Sequence, residues 1–172
     1  MTLCDYQIAE LGRSGLVHPF DPALINPCSL DVRLGPTLLI EVPWSSEMQI
    51  QCIEHTTCSE PYYLEPGEFV LAHTLEYVKV PAKYAMRFML KSSRAREGIE
   101  HSLAGFIDAG FEGSITLEIS NVRRMANVPI WYGMRIGQLE IVELDDVPLE
   151  TYGKKGHYQG DASVQSSKGH FS

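Results

Sequence analysis

The chain has 172 residues, a length that suits one globular domain and leaves little room for two independent hydrophobic cores. Hydrophobic residues make up 44% of it and charged residues 21%, which excludes a chain that is disordered throughout. Fourteen Lys and Arg against 22 Asp and Glu give a net charge of −8, so neither nucleic acid nor an anionic membrane is expected as a partner.

Targeting and disulfide signals are weak in this sequence. No apolar run approaches the roughly 20 residues of a membrane-spanning helix, and the first residues lack the basic and apolar regions of a signal peptide. A cytoplasmic protein is therefore expected.

The cysteines are too few for a disulfide framework in a chain of this length, and all four are predicted to be free thiols: Cys4, Cys28, Cys52 and Cys58.

The pattern along the chain predicts a mainly β fold with a few short helices. A helix of about two turns begins at Asp5 and buries Ile8. Beyond it, apolar and polar residues alternate in short segments separated by glycine and proline, which is typical of strands in a barrel or sandwich. Residues 44–62 are polar and weakly patterned and are predicted to form a loop. The β domain is predicted to span residues 1–151, and the Gly-, Ser- and Lys-rich residues 152–172 to form a flexible tail.

A basic segment is the first candidate for chemistry. Five of the fourteen basic residues lie within residues 83–96, and no carboxylate interrupts them. Ser92 is a good helix N-cap and Gly98 a good helix stop, so about one helical turn is predicted between them. Free amide groups at the helix start, the hydroxyls of Ser92 and Ser93, and the guanidinium of Arg96 would suit a phosphate group. The alternative is a solvated basic helix at the rim of a β protein.

The second candidate is a carboxylate on a predicted strand. Ile115, Leu117 and Ile119 share one face of this strand, and Glu118 lies on the opposite face. There the carboxylate either meets solvent or points into a site. Asp108, in the preceding turn, has the same two interpretations, because aspartate is also an ordinary turn residue.

Metal-dependent and P-loop chemistry receive little support. Cys52, His55 and Cys58 are spaced at intervals of three, but a closed zinc site needs a fourth ligand and no Cys-x-x-Cys pair accompanies them. The His-x-Glu and Pro-Cys-x-x-Cys signature of zinc-dependent nucleobase deaminases is missing, as are the Walker A and G-x-G-x-x-G loops.

Five motifs occur in order along the chain. They are Asn26-Pro27-Cys28-Ser29-Leu30-Asp31-Val32-Arg33-Leu34-Gly35, Ser92-Ser93-x-x-Arg96, Ala104-Gly105-Phe106-Ile107-Asp108, Thr116-Leu117-Glu118 and Gly137-Gln138-Leu139. Together they resemble the dCTP deaminases, a family related to the trimeric dUTPases. The resemblance implies a homotrimer of distorted, dUTPase-like β-barrels with active sites between subunits. It also implies Mg²⁺ held through the triphosphate of dCTP or dUTP, with no metal ligand from the protein, and dTTP as a candidate inhibitor.

The resemblance also assigns roles to residues. It implies that Glu118 is the catalytic carboxylate and that Ser92 and Arg96 act with it in catalysis. Asp108 matches the aspartate that contacts the sugar and that, in dUTPases, holds the water attacking the α-phosphorus. The other implied nucleotide contacts are Lys91, Ser93, Arg94, Ala95, Thr116, Leu117, Gln138, Tyr152 and Tyr158. The tail is the expected lid over the active site.

The type of reaction is implied by two residues of the third motif. Gly105 followed by Phe106 is similar to the bifunctional members, so deamination of dCTP coupled to triphosphate hydrolysis, giving dUMP, is the predicted activity. A deaminase that stops at dUTP, a dUTPase, and a non-catalytic nucleotide sensor are the alternatives. The chain departs from the usual pattern at Lys91, where arginine is usual, and at His157 and Asp161, where lysine and glutamine are usual.

Overall fold

A computed structural model describes residues 1–168 of the chain, and it is built mainly from strands, as predicted. The strands are β1 (Val17–His18), β2 (Ile25–Asn26), β3 (Ser29–Arg33), β4 (Thr37–Glu41), β5 (Met48–Cys52), β6 (Tyr62–Leu64), β7 (Phe69–Lys79), β8 (Tyr84–Leu90), β9 (Ile99–His101), β10 (Phe106–Ile107), β11 (Glu112–Asn121), β12 (Val128–Ile130) and β13 (Arg135–Glu143). The helices are α1 (Asp5–Arg13), α2 (Ser92–Glu97) and α3 (Tyr152–Lys155), with a 3₁₀ turn at Pro22–Leu24. Within residues 1–168, no helix is both long and apolar enough to cross a bilayer.

Two larger sheets and one two-stranded ribbon form a distorted barrel that does not close. The first sheet has the strand order β5-β4-β7-β11-β9, with β1 also paired to β7. The second has the order β10-β8-β13-β3-β2, and the ribbon pairs β12 with β6. A backbone bridge between Leu34 and Thr74 connects the end of β3 to β7. The core contains fully buried side chains from both sheets, among them Leu117 and Leu139.

Strand β11 lies inside the first sheet, between β7 and β9. Ile115, Leu117 and Ile119 are buried on its core face, which confirms the predicted alternation, and Glu118 lies half-buried on the other face. A slip of one residue would exchange the two faces, so the burial of these apolar side chains fixes the register of the strand.

The structure corrects one predicted loop. Residues 44–62 include strand β5 and the start of β6. β5 is the edge strand of the first sheet, and Ile50 within it is exposed. Its apolar residues Met48, Ile50 and Cys52 do alternate with Gln49 and Gln51, but the strand is short and none of its side chains is buried, so the polar residues around it hide the pattern.

The segment that follows the barrel lies against the start of β11. Gly160 donates its backbone N–H to the carbonyl of Glu112 at 2.8 Å, and Val164 is buried. These contacts attach part of the segment to the barrel, and the flexibility and lid role predicted for residues 152–172 stay predictions. Residues 169–172 of the predicted tail lie outside the described residues.

Candidate active site

Glu118 combines burial with an unsatisfied polar atom. Its side chain is 28% exposed, and its Oε2 atom is buried without a hydrogen-bond partner among residues 1–168. Burial raises the pKa of the Glu118 carboxyl above its ordinary value, because a desolvated carboxylate is disfavoured. A carboxyl group whose pKa is raised in this way is a stronger base than an exposed glutamate.

His101 is an ionisable neighbour of this carboxyl that no motif in the sequence marked. It lies on β9 opposite Ile119 of β11, with its Nε2 atom 3.6 Å from Oε2 of Glu118. Its ring also packs against Phe88, with centroids 4.7 Å apart. Pairing across two strands brings His101 to Glu118, and a sequence with no marked helix or strand pattern at residues 99–101 does not reveal it.

The contact between His101 and Glu118 is not a strong ion pair. Burial lowers the pKa of the His101 imidazole and raises the pKa of the Glu118 carboxyl, so desolvation favours the uncharged form of each. The distance of 3.6 Å is also longer than a hydrogen bond. Oε2 of Glu118 therefore keeps its capacity to bind a water or a substrate atom.

Helix α2 leads directly into β9, the strand that lies beside the Glu118 carboxyl. Gly98 ends the helix with φ at +103°, as its position predicted, and β9 follows directly. The N-cap is Lys91, which has extended backbone angles, so the predicted N-cap Ser92 is instead the first helical residue. Ser92 and Arg96 are both exposed, on a helix turn that leads into the strand beside Glu118.

Arg94, by contrast, is held by the barrel. Its guanidinium contacts Glu97 at 2.8 Å and Sδ of Met134 at 3.2 Å, and it lies over the ring of Trp131 at 5.7 Å. These contacts fix the orientation of α2 on the barrel. Its implied contact with nucleotide stays a prediction.

A second polar cluster lies on the sheet formed by β8, β13 and β3. Asp31 is 1% exposed, and both of its oxygens accept hydrogen bonds from Nζ of Lys91, at 2.8 and 2.6 Å. Gln138 pairs directly across from Asp31 and accepts a hydrogen bond from Ser29 Oγ at 3.3 Å. Two residues with implied phosphate contacts, Lys91 and Gln138, are thus brought together. Arg135 lies in the same cluster, and the sequence analysis missed it.

A third group surrounds a cavity of about 450 Å³ between the turn after β10 and the segment after the barrel. Asp108, Tyr152 and His157 line this cavity. The Tyr152 ring packs edge-on against Phe111 at 5.2 Å, and its hydroxyl accepts the N–H of Tyr158 at 3.3 Å. The structure therefore places the exposed Asp108 beside the two tyrosines with implied roles.

The three groups are separate within one chain. Within residues 1–168, no hydrogen bond or ion pair joins Glu118 to Ser92, Arg96 or Asp108. Thr116 is half-buried, on the same face of β11 as Glu118, while the Leu117 side chain is fully buried in the core. Only the backbone of Leu117 can therefore reach a ligand.

The dCTP deaminase-like family matches residues 2–144. The chain belongs to this family. The match extends from the residues before α1 to the end of β13, and it confirms the resemblance drawn from the five motifs.

Relatives of this dCTP deaminase-like chain cover almost all of its length. A protein named dUMP-forming dCTP deaminase from Mycobacterium marinum is 42% identical and covers 91% of this chain and 88% of its own. One of the same name from Salinispora arenicola is 40% identical over 98% of this chain and 94% of its own. Among solved structures, the 2′-deoxycytidine 5′-triphosphate deaminase from Agrobacterium tumefaciens has a TM-score of 0.65 at 23% identity, over 81% of this chain and 46% of that one. This last similarity supports the fold.

The raised pKa of the Glu118 carboxyl predicts how stability depends on pH. Between the ordinary glutamate pKa and the raised value in the fold, the unfolded state loses its proton first, so the free energy of unfolding falls as pH rises. The Glu118→Gln variant lacks this proton and should gain stability relative to the wild type over that pH range. Urea unfolding at a series of pH values measures the difference.

The matched control for this pH series is Glu100→Gln, since Glu100 is an exposed glutamate on β9, directly beside β11. A stability difference between wild type and Glu118→Gln that is the same at every pH would contradict the desolvation of Glu118.

Proposed function

We propose that the protein converts dCTP and two waters to dUMP, ammonia and pyrophosphate. The observation that carries this proposal is the half-buried Glu118 carboxyl, whose Oε2 has no hydrogen-bond partner within the described part of the chain. Support also comes from relatives named dUMP-forming dCTP deaminase that match 91% and 98% of the chain. A desolvated carboxyl group is the kind of group that moves protons in hydrolytic deamination.

Glu118 serves the deamination step. It takes a proton from the water that attacks C4 of the cytosine and passes it to N3, and it then transfers the proton of the new C4 hydroxyl to the leaving amine, so that ammonia departs. Because burial raises its pKa, the carboxyl is basic enough to accept the first proton and acidic enough to give it back. Ser92 and Arg96 orient the water and the carboxyl.

Asp108 serves the second step. Its exposed carboxylate, at the mouth of the cavity beside Tyr152, binds the sugar and aligns a water for attack on the α-phosphorus. The bond between the α-phosphorus and the bridging oxygen breaks, and pyrophosphate leaves. The segment from Lys91 to Arg96, with Thr116, the backbone of Leu117, Gln138, Tyr152 and Tyr158, completes the proposed nucleotide contacts.

Mg²⁺ enters this proposal as part of the substrate. No three His, Cys, Asp or Glu side chains lie together as a metal site within residues 1–168. The proposed ion is carried by the phosphate oxygens of the nucleotide, since Mg²⁺ commonly keeps waters and substrate phosphates as ligands. When bound, the ion neutralises part of the negative charge on the triphosphate.

A homotrimer with sites between subunits is proposed because the three groups of candidate residues are separate in one chain. Ser92 and Arg96 are exposed, and Phe106 beside Asp108 is an exposed aromatic ring. A neighbouring subunit would bring such surfaces together and cover the apolar ones. dTTP, which carries the same triphosphate, is the proposed competitor for this site.

The products formed from dCTP and Mg²⁺ test the proposed function. Ammonia with dUMP supports it, while ammonia with dUTP identifies a deaminase that stops after the first step. Conversion of dUTP but not dCTP identifies a dUTPase, and no turnover of either nucleotide identifies a sensor. Chromatography of the nucleotides with an ammonia assay separates these four outcomes.

Glu118→Gln should lower ammonia release by roughly a hundredfold or more, because the amide cannot accept the proton of the attacking water. Binding of dCTP, measured by calorimetry, should change little, since the amide keeps the size of the side chain. Glu112→Gln, at an exposed glutamate on the same strand, is the control. Deamination near the wild-type rate in Glu118→Gln would remove Glu118 from the reaction.

The proposed assembly predicts a particle of three times the chain mass of 19.3 kDa. Light scattering coupled to gel filtration measures this mass on the full chain at concentrations used for activity. A monomer that turns over dCTP at full rate would overturn the placement of the site between subunits.

Tyr152→Phe tests the role of the segment that follows the barrel. The ring keeps its packing against Phe111 at 5.2 Å, so thermal stability should be nearly unchanged. The loss of the hydroxyl should raise KM for dCTP by roughly three- to tenfold if it contacts the nucleotide, as expected for one hydrogen bond. Tyr132→Phe, at an exposed tyrosine elsewhere, is the control. An unchanged KM would show that this segment is only a structural cover.

A further inference from the structure

One buried carboxylate has two cationic neighbours. Asp31 is 1% exposed on β3, and Nζ of Lys91 donates to both of its oxygens, at 2.6 and 2.8 Å. The Asn26 side-chain amide donates to Oδ1 at 2.8 Å. NH1 of Arg135 approaches Oδ2 to 3.6 Å, which is beyond hydrogen-bond distance. The carboxylate is therefore already satisfied by Lys91 and Asn26.

The local charges do not cancel. Lys91 neutralises Asp31, and the neighbouring Arg33 is paired with buried Glu76 at 2.7 Å. The charge of Arg135 is left over, on a side chain that is 53% exposed. In a chain with a net charge of −8, this cluster therefore presents a local positive charge to the solvent.

A bulge in β13 places Arg135 on this face. Arg135 and Gln138 are three residues apart, and a regular strand would direct them to opposite faces. The pairing of β13 with β3 shifts by one residue between Arg135 and Gly137, so that Arg135 lies opposite Arg33 and Gln138 opposite Asp31. Both side chains therefore reach the surroundings of Asp31, as their contacts with Asp31 and Ser29 show.

The position of this positive charge matches the proposed nucleotide site. Gln138 lies directly across from Asp31, and Lys91, which precedes Ser92 and the exposed start of α2, donates to the Asp31 carboxylate. A guanidinium at this point can give two parallel hydrogen bonds to one phosphate, whereas the ammonium of Lys91 is held by the carboxylate.

We propose that Arg135 is a phosphate-binding residue, which supplies the bidentate contact to the triphosphate that Lys91, bound to Asp31, cannot supply. The proposal rests on the proposed function for the identity of the ligand as a nucleoside triphosphate. It concerns binding alone, so it can be tested without turnover.

The test is the binding of inorganic tripolyphosphate and of dUTP to the full chain, measured by calorimetry. Arg135→Gln should weaken both by about tenfold or more, the effect expected when a charged hydrogen-bond donor is lost. The matched control is Arg87→Gln. Arg87 lies on the adjacent strand β8 with its side chain 61% exposed and a carboxylate 3.9 Å away, on Glu140, but without Asp31 or Gln138 beside it. This variant should bind within about twofold of the wild type.

Arg135→Lys keeps the positive charge beside Asp31 but removes the guanidinium. It therefore tests the bidentate contact. It should bind tripolyphosphate more weakly than the wild type and more tightly than Arg135→Gln. Arg135→Lys also tests the proposed contact if Arg135→Gln does not fold. Wild-type affinity for tripolyphosphate in a folded Arg135→Lys would overturn the bidentate contact.

Failure of the inference and failure of the proposed function give different results. Wild-type affinity for tripolyphosphate in Arg135→Gln, an equal loss in Arg87→Gln, or no binding by the wild type would overturn the role of Arg135. If the wild type turns over neither dCTP nor dUTP, yet Arg135→Gln still loses tripolyphosphate binding, the proposed function fails and the phosphate site stands.

Discussion

Strand β11 has to bury Leu117 and Ile119, and this constraint determines where Glu118 lies. Because β7 and β9 flank the strand on both sides, Glu118 emerges on a face that is half covered, where desolvation raises the pKa of its carboxyl. The chemistry proposed for the protein depends on that shift. A fully exposed glutamate would be a weaker base, and a fully buried one could not reach a substrate.

A second carboxylate organises the proposed phosphate side of the site. Asp31 is buried, and a buried charge is tolerated only when it is paired and hydrogen-bonded. Lys91 and Asn26 satisfy it, and in doing so they fix the residue from which α2 begins. The barrel therefore determines both the start of the proposed phosphate-binding segment and the surplus of positive charge at Arg135.

The candidate groups are separate within one chain. This separation is the physical reason for proposing an assembly of subunits. Glu118 with His101, Lys91 with Gln138, and Asp108 with Tyr152 form three clusters. A nucleoside triphosphate has a base, a sugar and a phosphate chain, and each of the clusters matches the chemistry of one part. Symmetric association is the usual way in which such separate surfaces complete a site.

The sequence by itself determined the mainly β fold, the core face of β11, the end of α2 at Gly98 and the family, because alternation, glycine geometry and ordered motifs are local properties. It also marked Glu118 as a candidate. Only the tertiary structure decided that His101 faces Glu118, that Lys91 is held by Asp31, and that a bulge turns Arg135 toward Gln138. The attachment of the segment after the barrel was decided there as well. These features depend on pairing between distant strands, and a pattern of neighbouring residues does not contain that information.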